Sequence, residues 1–236
     1  MRIPGLIAAL ISLMLSTDTR PGADADPHRP TCRTAQCRKV KSFLKAHYCG
    51  ESPYGNGPAD GCLLVEPKKL GAGFKITADF HCEWMEHEEK AQCQQRGEVR
   101  SHVKDLLVRE MKRLGVPAGE DKQVLFASWE SNVADFSIAK AAYSSIAGAE
   151  LAICAVVLRI DRTGHVVVLR EVPFHRTDVD VPDVATWALL DVADVDGDGY
   201  PEVILHGDAY ENHWLEVVSM RSGAAKTIFS GLGYYL

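Results

Sequence analysis

No CxxC pair, GxSxG elbow, phosphate-binding P-loop or glycine-rich dinucleotide fingerprint occurs in the 236 residues. Those absences weaken a zinc site and remove the serine-hydrolase elbows, P-loop nucleotide enzymes and dinucleotide enzymes that depend on them. Basic charge is also scarce: 26 Lys+Arg stand against 32 Asp+Glu, for a net charge of -6, and no basic run exists. The chain is therefore a poor candidate for nucleic acid or an anionic membrane surface, and no nucleic-acid partner is expected. The one extended apolar run, Ile3 to Leu15, falls short of the roughly 20 residues a membrane span needs. What remains is 46% hydrophobic and 25% charged, an ordinary globular balance that rules out wholesale disorder and collagen-like repetition.

The apolar run has the layout of an export signal. Arg2 precedes it, a polar stretch follows, and Ala23-Asp24-Ala25 has the small-x-small form that signal peptidase accepts. Residues 1–25 are expected to be a signal peptide cut after Ala25. The mature chain is expected to be secreted or periplasmic, with no integral membrane segment. No cysteine follows the run closely enough for a lipoprotein; the first is Cys32.

Cysteine usage agrees with export. Six of the seven cysteines (Cys32, Cys37, Cys49, Cys62, Cys82 and Cys93) lie within 32–93, and Cys154 stands alone. Six clustered cysteines in an exported chain read as three disulfides, with 15 pairings open. Cys49 with Cys62 is the favoured pair, because the Gly/Pro-rich loop between them has little core of its own. The competing reading is a zinc site from Cys32, Cys37, Cys82 and His81 or His87, for which CxxxxC and HCxxxxH are loose spacings. Cys154, inside LAICAVVLRI, is expected to be a buried and inert thiol.

Two textures divide the chain. Residues 26–118 form a Cys-rich α+β region. Within it CRKVKSFLKAHYC is expected to be helical, CLLVEP and FKITADFHCEW to be strands, and residues 86–114 to form the strongest helix. Val99, Val103, Leu106, Leu107 and Leu114 carry that last period, and Gly115 and Pro117 end it. Residues 119–236 form an all-β region. QVLFASW, ELAICAVVLRI, HVVVLREV, TWALLDV, PEVILHG, HWLEVVSM and KTIFSG are strand-like runs, with hairpin turns at Arg162-Thr163-Gly164 and Ser222-Gly223. The expected fold class is α+β: a disulfide-bonded helix-containing N-terminal part and an antiparallel β-sheet C-terminal part, either an incomplete propeller or a sandwich. The two parts could also pack as one α+β domain.

The chemistry concentrates in DVDGDGYPE, residues 194–202. Asp194, Asp196, Asp198 and Glu202 occupy positions 1, 3, 5 and 9, Gly199 permits the sharp turn, and Tyr200 offers its carbonyl. Four converging carboxylates repel one another unless a cation joins them. An irregular oxygen cage suits Ca²⁺ better than Mg²⁺, which demands a strict octahedron. The loop departs from an EF-hand: Leu205 stands where the bidentate Glu belongs, and strand-like runs flank it.

LLDVADVDGDGYPEVIL resembles the calcium loop of FG-GAP and VCBS-type repeats, the kind found in integrin α-subunit propellers. The resemblance covers about residues 186–208. It implies Ca²⁺ held by the side chains of Asp194, Asp196, Asp198 and Glu202 and by the carbonyl of Tyr200. The whole chain also resembles exported bacterial proteins of unassigned activity, through CGESPYGNGPADGC and GDAYENHWLEV…FSGLGYYL.

Catalytic patterns are thin. His87-Glu88 opens like HExxH, but Ala91 replaces the second histidine. Ser137-Ile138-Ala139-Lys140 matches SxxK, as does Ser42-Phe43-Leu44-Lys45, and the KTG partner is missing. His81, Glu83, Glu86 and His87 could make a carboxylate–histidine site. Asp208, Tyr210, Glu211, His213 and Trp214 form a second candidate patch, of the residue types that bind carbohydrate. No catalytic residue is assigned. The expected function is an exported calcium-binding structural or interaction module with an unidentified protein or carbohydrate partner. The alternatives are a small exported hydrolase with a structural Ca²⁺, and an interaction or inhibitor protein using the Cys-rich half.

Overall fold

The computed structural model describes residues 32, 34–50, 63–64, 71–85, 90–147, 150–178, 186–209 and 212–234, with 81–85 and 90–93 through their backbone. The expected signal peptide, Cys62, Glu86, His87, Tyr210 and Glu211 lie outside them. Most of the described chain is antiparallel β-sheet with two α-helices. The helices are α1 (Ala35–Tyr48) and α2 (Ser101–Arg113). The strands are β1 (Cys49–Gly50), β2 (Leu63–Leu64), β3 (Phe74–Met85), β4 (Lys90–Gly97), β5 (Val124–Ser131), β6 (Phe136–Ala147), β7 (Glu150–Asp161), β8 (Val166–Asp178), β9 (Thr186–Ala193), β10 (Glu202–Ala209), β11 (Asn212–Ser219) and β12 (Lys226–Tyr234).

Sequential hairpins build two larger sheets, a six-stranded one in the order β4-β3-β5-β6-β7-β8 and a four-stranded meander β12-β11-β10-β9. β1 and β2 pair separately. Since β3 pairs with β5, the six-stranded sheet takes strands from both sides of residue 118.

Period-two alternation decides what each face touches. On β10, Val203 and Leu205 join Trp187, Leu189 and Val192 against Trp129, Ile138 and Val157 of the six-stranded sheet. Ile204, between them, points the other way, to Val40, Leu44 and Tyr48 of α1. On β6, Ala139, Ala141 and Tyr143 face Val103, Leu107 and Met111 of α2. The order of layers is thus α1, four-stranded sheet, six-stranded sheet, α2. Each helix contributes residues spaced four apart, the stripe an amphipathic helix needs.

The strongest predicted helix is shorter than expected. Residues 90–97 are strand β4, and α2 begins at Ser101. Every apolar residue that carried the helical period lies at or after Val99; KAQCQQR before it has none at that spacing. Gly97 closes the strand at φ +72, and a Cβ there would collide with the Thr77 carbonyl. α2 ends as expected, with Gly115 at φ +101 donating to the Lys112 carbonyl at 3.1 Å. The seven predicted runs of the C-terminal region all form strands, but β6 was not among the expectations. Its FSIAKAAYSSIA is built of Ala and Ser, which carry little β signal.

Cys32 and Cys37 form a disulfide at the start of α1, where Thr34 Oγ1 accepts from the Cys37 N–H at 3.1 Å. That bond removes both thiols from any zinc site and overturns that reading. Cys49 is disulfide-bonded as well; its pairing with Cys62 falls outside the described residues. The β3–β4 register sets Cys82 directly opposite Cys93. Cys154 is buried and unbonded, with its thiol pushed up to about 11, chiefly by burial, which suits an inert small hydrophobe.

One ion pair ties the two sheets together. Arg170 of β8 donates through Nε to Glu216 of β11 and through Nη2 to Thr227 Oγ1 at 2.5 Å. Trp214 Nε1 donates to the second Glu216 oxygen at 2.9 Å. The side chains of Arg170 and Glu216 are only 16% and 10% exposed. Removing one partner would strand the other charge, so Arg170→Met should cost about 3–5 kcal/mol in urea unfolding. Arg170→Met combined with Glu216→Met should recover most of it. A single variant costing under about 1 kcal/mol would mean the pair is effectively solvated.

Candidate metal centre

The β9–β10 connection folds through its own side chains. Gly197 and Gly199 sit at φ +70 and +89, the left-handed region that glycine enters freely. Asp194 Oδ1 accepts from the Asp198 N–H and Oδ2 from the Gly199 N–H, both at 3.0 Å. Asp196 Oδ1 accepts from the Asp198 N–H at 3.2 Å, and Asp198 Oδ1 from the Tyr200 N–H at 2.8 Å. Short acidic side chains bonding two to five residues ahead coil the loop onto itself.

Asp194, Asp196 and Glu202 each offer a carboxylate oxygen within 4.8 Å of the others. Glu202 opens β10 and is 1% exposed. Its Oε2 accepts from the Val195 N–H at 3.1 Å. Its Oε1 is buried with no hydrogen-bond partner. Burial above all, with Asp196, Asp198 and Asp194 adding repulsion against the Val195 hydrogen bond, pushes the Glu202 carboxyl up to about 7. A buried acceptor left unpaired is costly and calls for an explanation.

Asp198 is not one of the converging three. Its Oδ2 accepts from Arg221 Nη1 at 2.7 Å, and the Arg221 guanidinium lies 5.5 Å from the ring centre of the exposed Tyr200. Sequence reasoning also missed α1's part in the site. Gln36 Nε2 donates to Asp196 Oδ2 at 2.6 Å, and Lys39 Nζ donates to the Asp196 carbonyl. Next to the loop, Tyr48 donates its hydroxyl to the buried Asp191 at 2.5 Å. About 160 residues separate Gln36 and Lys39 from Asp196, so no local pattern could announce them.

The donor set is all oxygen and anionic, which fits a hard cation. All three carboxylates already accept backbone hydrogen bonds, while Glu202 Oε1 has no partner and is where an ion would find a ready ligand.

The second patch does not share this end of the sheet. The loop joins β10 at Glu202, whereas Asp208 lies near the strand's far end. Six residues of extended strand put roughly 20 Å between them. There His213 Nδ1 lies 3.2 Å from Asp208 Oδ1, His206 and His213 stack at 5.5 Å, and Trp214 packs partly buried against the inter-sheet core. The Ser137–Lys140 match to SxxK fails on geometry as well. Ser137 and Lys140 are three apart on a strand and fall on opposite faces.

Among the described residues no helix is long and apolar enough to cross a membrane. Comparison with protein-family models, curated proteins and solved structures finds no match for this chain.

Proposed function

We propose that this chain is an exported calcium-binding structural or interaction module in which one Ca²⁺ fixes the β9–β10 hairpin. The single observation behind the reading is Glu202 Oε1, buried without a partner beside Asp194 and Asp196. The family resemblance of the loop supplies the choice of ion, and the disulfides are compatible with an oxidising compartment. On this reading Asp194, Asp196 and Glu202 hold the ion, and Asp198 joins on release from Arg221. The two sheets then form a sandwich whose loop end is clamped by metal.

A second reading has its own observation. Lys39 and Arg221 already place cations on the loop, and an acidic turn neutralised by them needs no metal. Thermal unfolding of the oxidised protein, in EGTA and across a calcium titration with magnesium as control, separates the two. Calcium at a hundredfold its Kd should add about 2.7 kcal/mol, and magnesium much less. A midpoint indifferent to calcium up to several millimolar would favour the metal-free clasp.

A further inference from the structure

Lys140 stands where the inter-sheet core should continue. Across three strands the register aligns Ala127, Lys140 and Val157, and its two neighbours are buried core residues. Lys140 is itself 8% exposed. Among the described residues its ammonium has no hydrogen bond or ion pair; its one defined contact is the Phe80 ring, 5.0 Å from Nζ to the ring centre. Asp79 and Asp208 are near enough to favour the charged form, but both are engaged elsewhere. Asp79 Oδ1 accepts from the Phe80 N–H at 2.8 Å, and Asp208 faces His213. Burial outweighs those two carboxylates and lowers the ammonium to about 8.

The lysine lines a partly open pocket of about 300 Å³ on the six-stranded sheet, to which Thr186 of β9 is the one described residue contributed by the other sheet. Leu125, Ala142, Ile153, Ala155 and Val172 give it apolar walls, and Ser144 and Thr186 add hydroxyls. Among the described residues that line it none is acidic. A dry cavity of about 150 Å³ accepts benzene, so this one has room for about twice that bulk. A largely buried ammonium with no direct hydrogen-bonding partner among the described residues, beside apolar walls, suits an anion carrying an apolar body.

We propose that this pocket binds a small monocarboxylate with an apolar tail, the carboxylate meeting the Lys140 ammonium and the tail lying against the apolar walls. The site is separate from the acidic loop and independent of calcium. Selectivity follows from the charge: an alcohol of the same length fills the same walls but forgoes the charge-assisted hydrogen bond.

Isothermal titration of the oxidised full chain with octanoate and with 1-octanol tests this. The wild type should bind octanoate about ten- to a hundredfold more tightly than octanol. Lys140→Met should lose that preference while keeping octanol within about twofold. Ala142→Leu, which fills the cavity, should weaken both. The wild-type comparison stands even if a variant fails to fold. Octanoate binding no tighter than octanol, undiminished binding in Lys140→Met, or no binding at millimolar octanoate would each overturn the assignment.

Discussion

Glu202→Gln should raise the unfolding midpoint of the calcium-free protein at neutral pH and abolish its response to calcium. The two effects have opposite signs and one origin. In the folded, metal-free chain the Glu202 carboxyl is pushed up to about 7, above its ordinary 4.5. Between those values the folded state holds the proton more tightly than the unfolded state. Stability from this group is therefore complete below about 4.5, falls as pH rises, and is lost above about 7. The full loss is on the order of 3 kcal/mol. The amide has the same shape and no charge, so the variant escapes that loss and its stability should be flat across the window.

The amide is also a poorer ligand for a hard cation. Calcium should stabilise the wild type more as pH climbs from 5 to 7.5, because binding must expel the Glu202 proton. Asp196→Ala should abolish the response too. Urea unfolding at several pH values, with calcium and with EGTA, measures all of this. A Glu202→Gln protein that still gains stability from calcium would remove Glu202 from the ligand set.

Lys140→Met should stabilise the protein, against the usual run of core substitutions. The lysine is lowered to about 8 from 10.5, first by burial, with Asp79 and Asp208 opposing. Here the folded state binds its proton less tightly than the unfolded state does. The charge therefore costs stability at neutral pH, and the cost disappears as pH rises from about 8 to 10.5. It amounts to roughly 3 kcal/mol at pH 7. Methionine has nearly the same length and no charge. Its midpoint should rise by about 4–12 °C, with the rising limb between pH 8 and 10.5 removed. A less stable Lys140→Met protein would mean that the ammonium has a structural anchor, and the argument for a ligand would go with it.

The two sites were unequally legible in the sequence. The loop announces itself because its carboxylates and glycines all lie within nine residues, so spacing and geometry are nearly the same thing. Lys140 is hidden for the opposite reason. On a strand reading Lys140, Ala142, Ser144 against Ala139, Ala141, Tyr143, the lysine marks what looks like the wet face. Only the second sheet, built from residues 186–234, covers that face beside Lys140, while Ser144 further along stays exposed. The same non-local pairing put β3 beside β5 and α1 against the loop. β4 is illegible for a local reason: the charges and glutamines before Val99 extend a helical pattern whose apolar stripe has not started. α1 was legible because Val40, Leu44 and Tyr48 repeat every four residues, but its target was not.

That target has a consequence for the order of synthesis. The apolar stripe of α1 rests on Ile204, Leu215, Val217 and Phe229, residues that leave the ribosome some 160 to 190 positions later. Until the last hairpin is made, the first helix has no surface to settle on. During that interval its apolar stripe stays uncovered, the kind of surface that makes an unfinished chain prone to aggregate. Its docking also brings Gln36 and Lys39 to Asp196, so the acidic loop gains its full surroundings only when the earliest and latest parts of the chain have met.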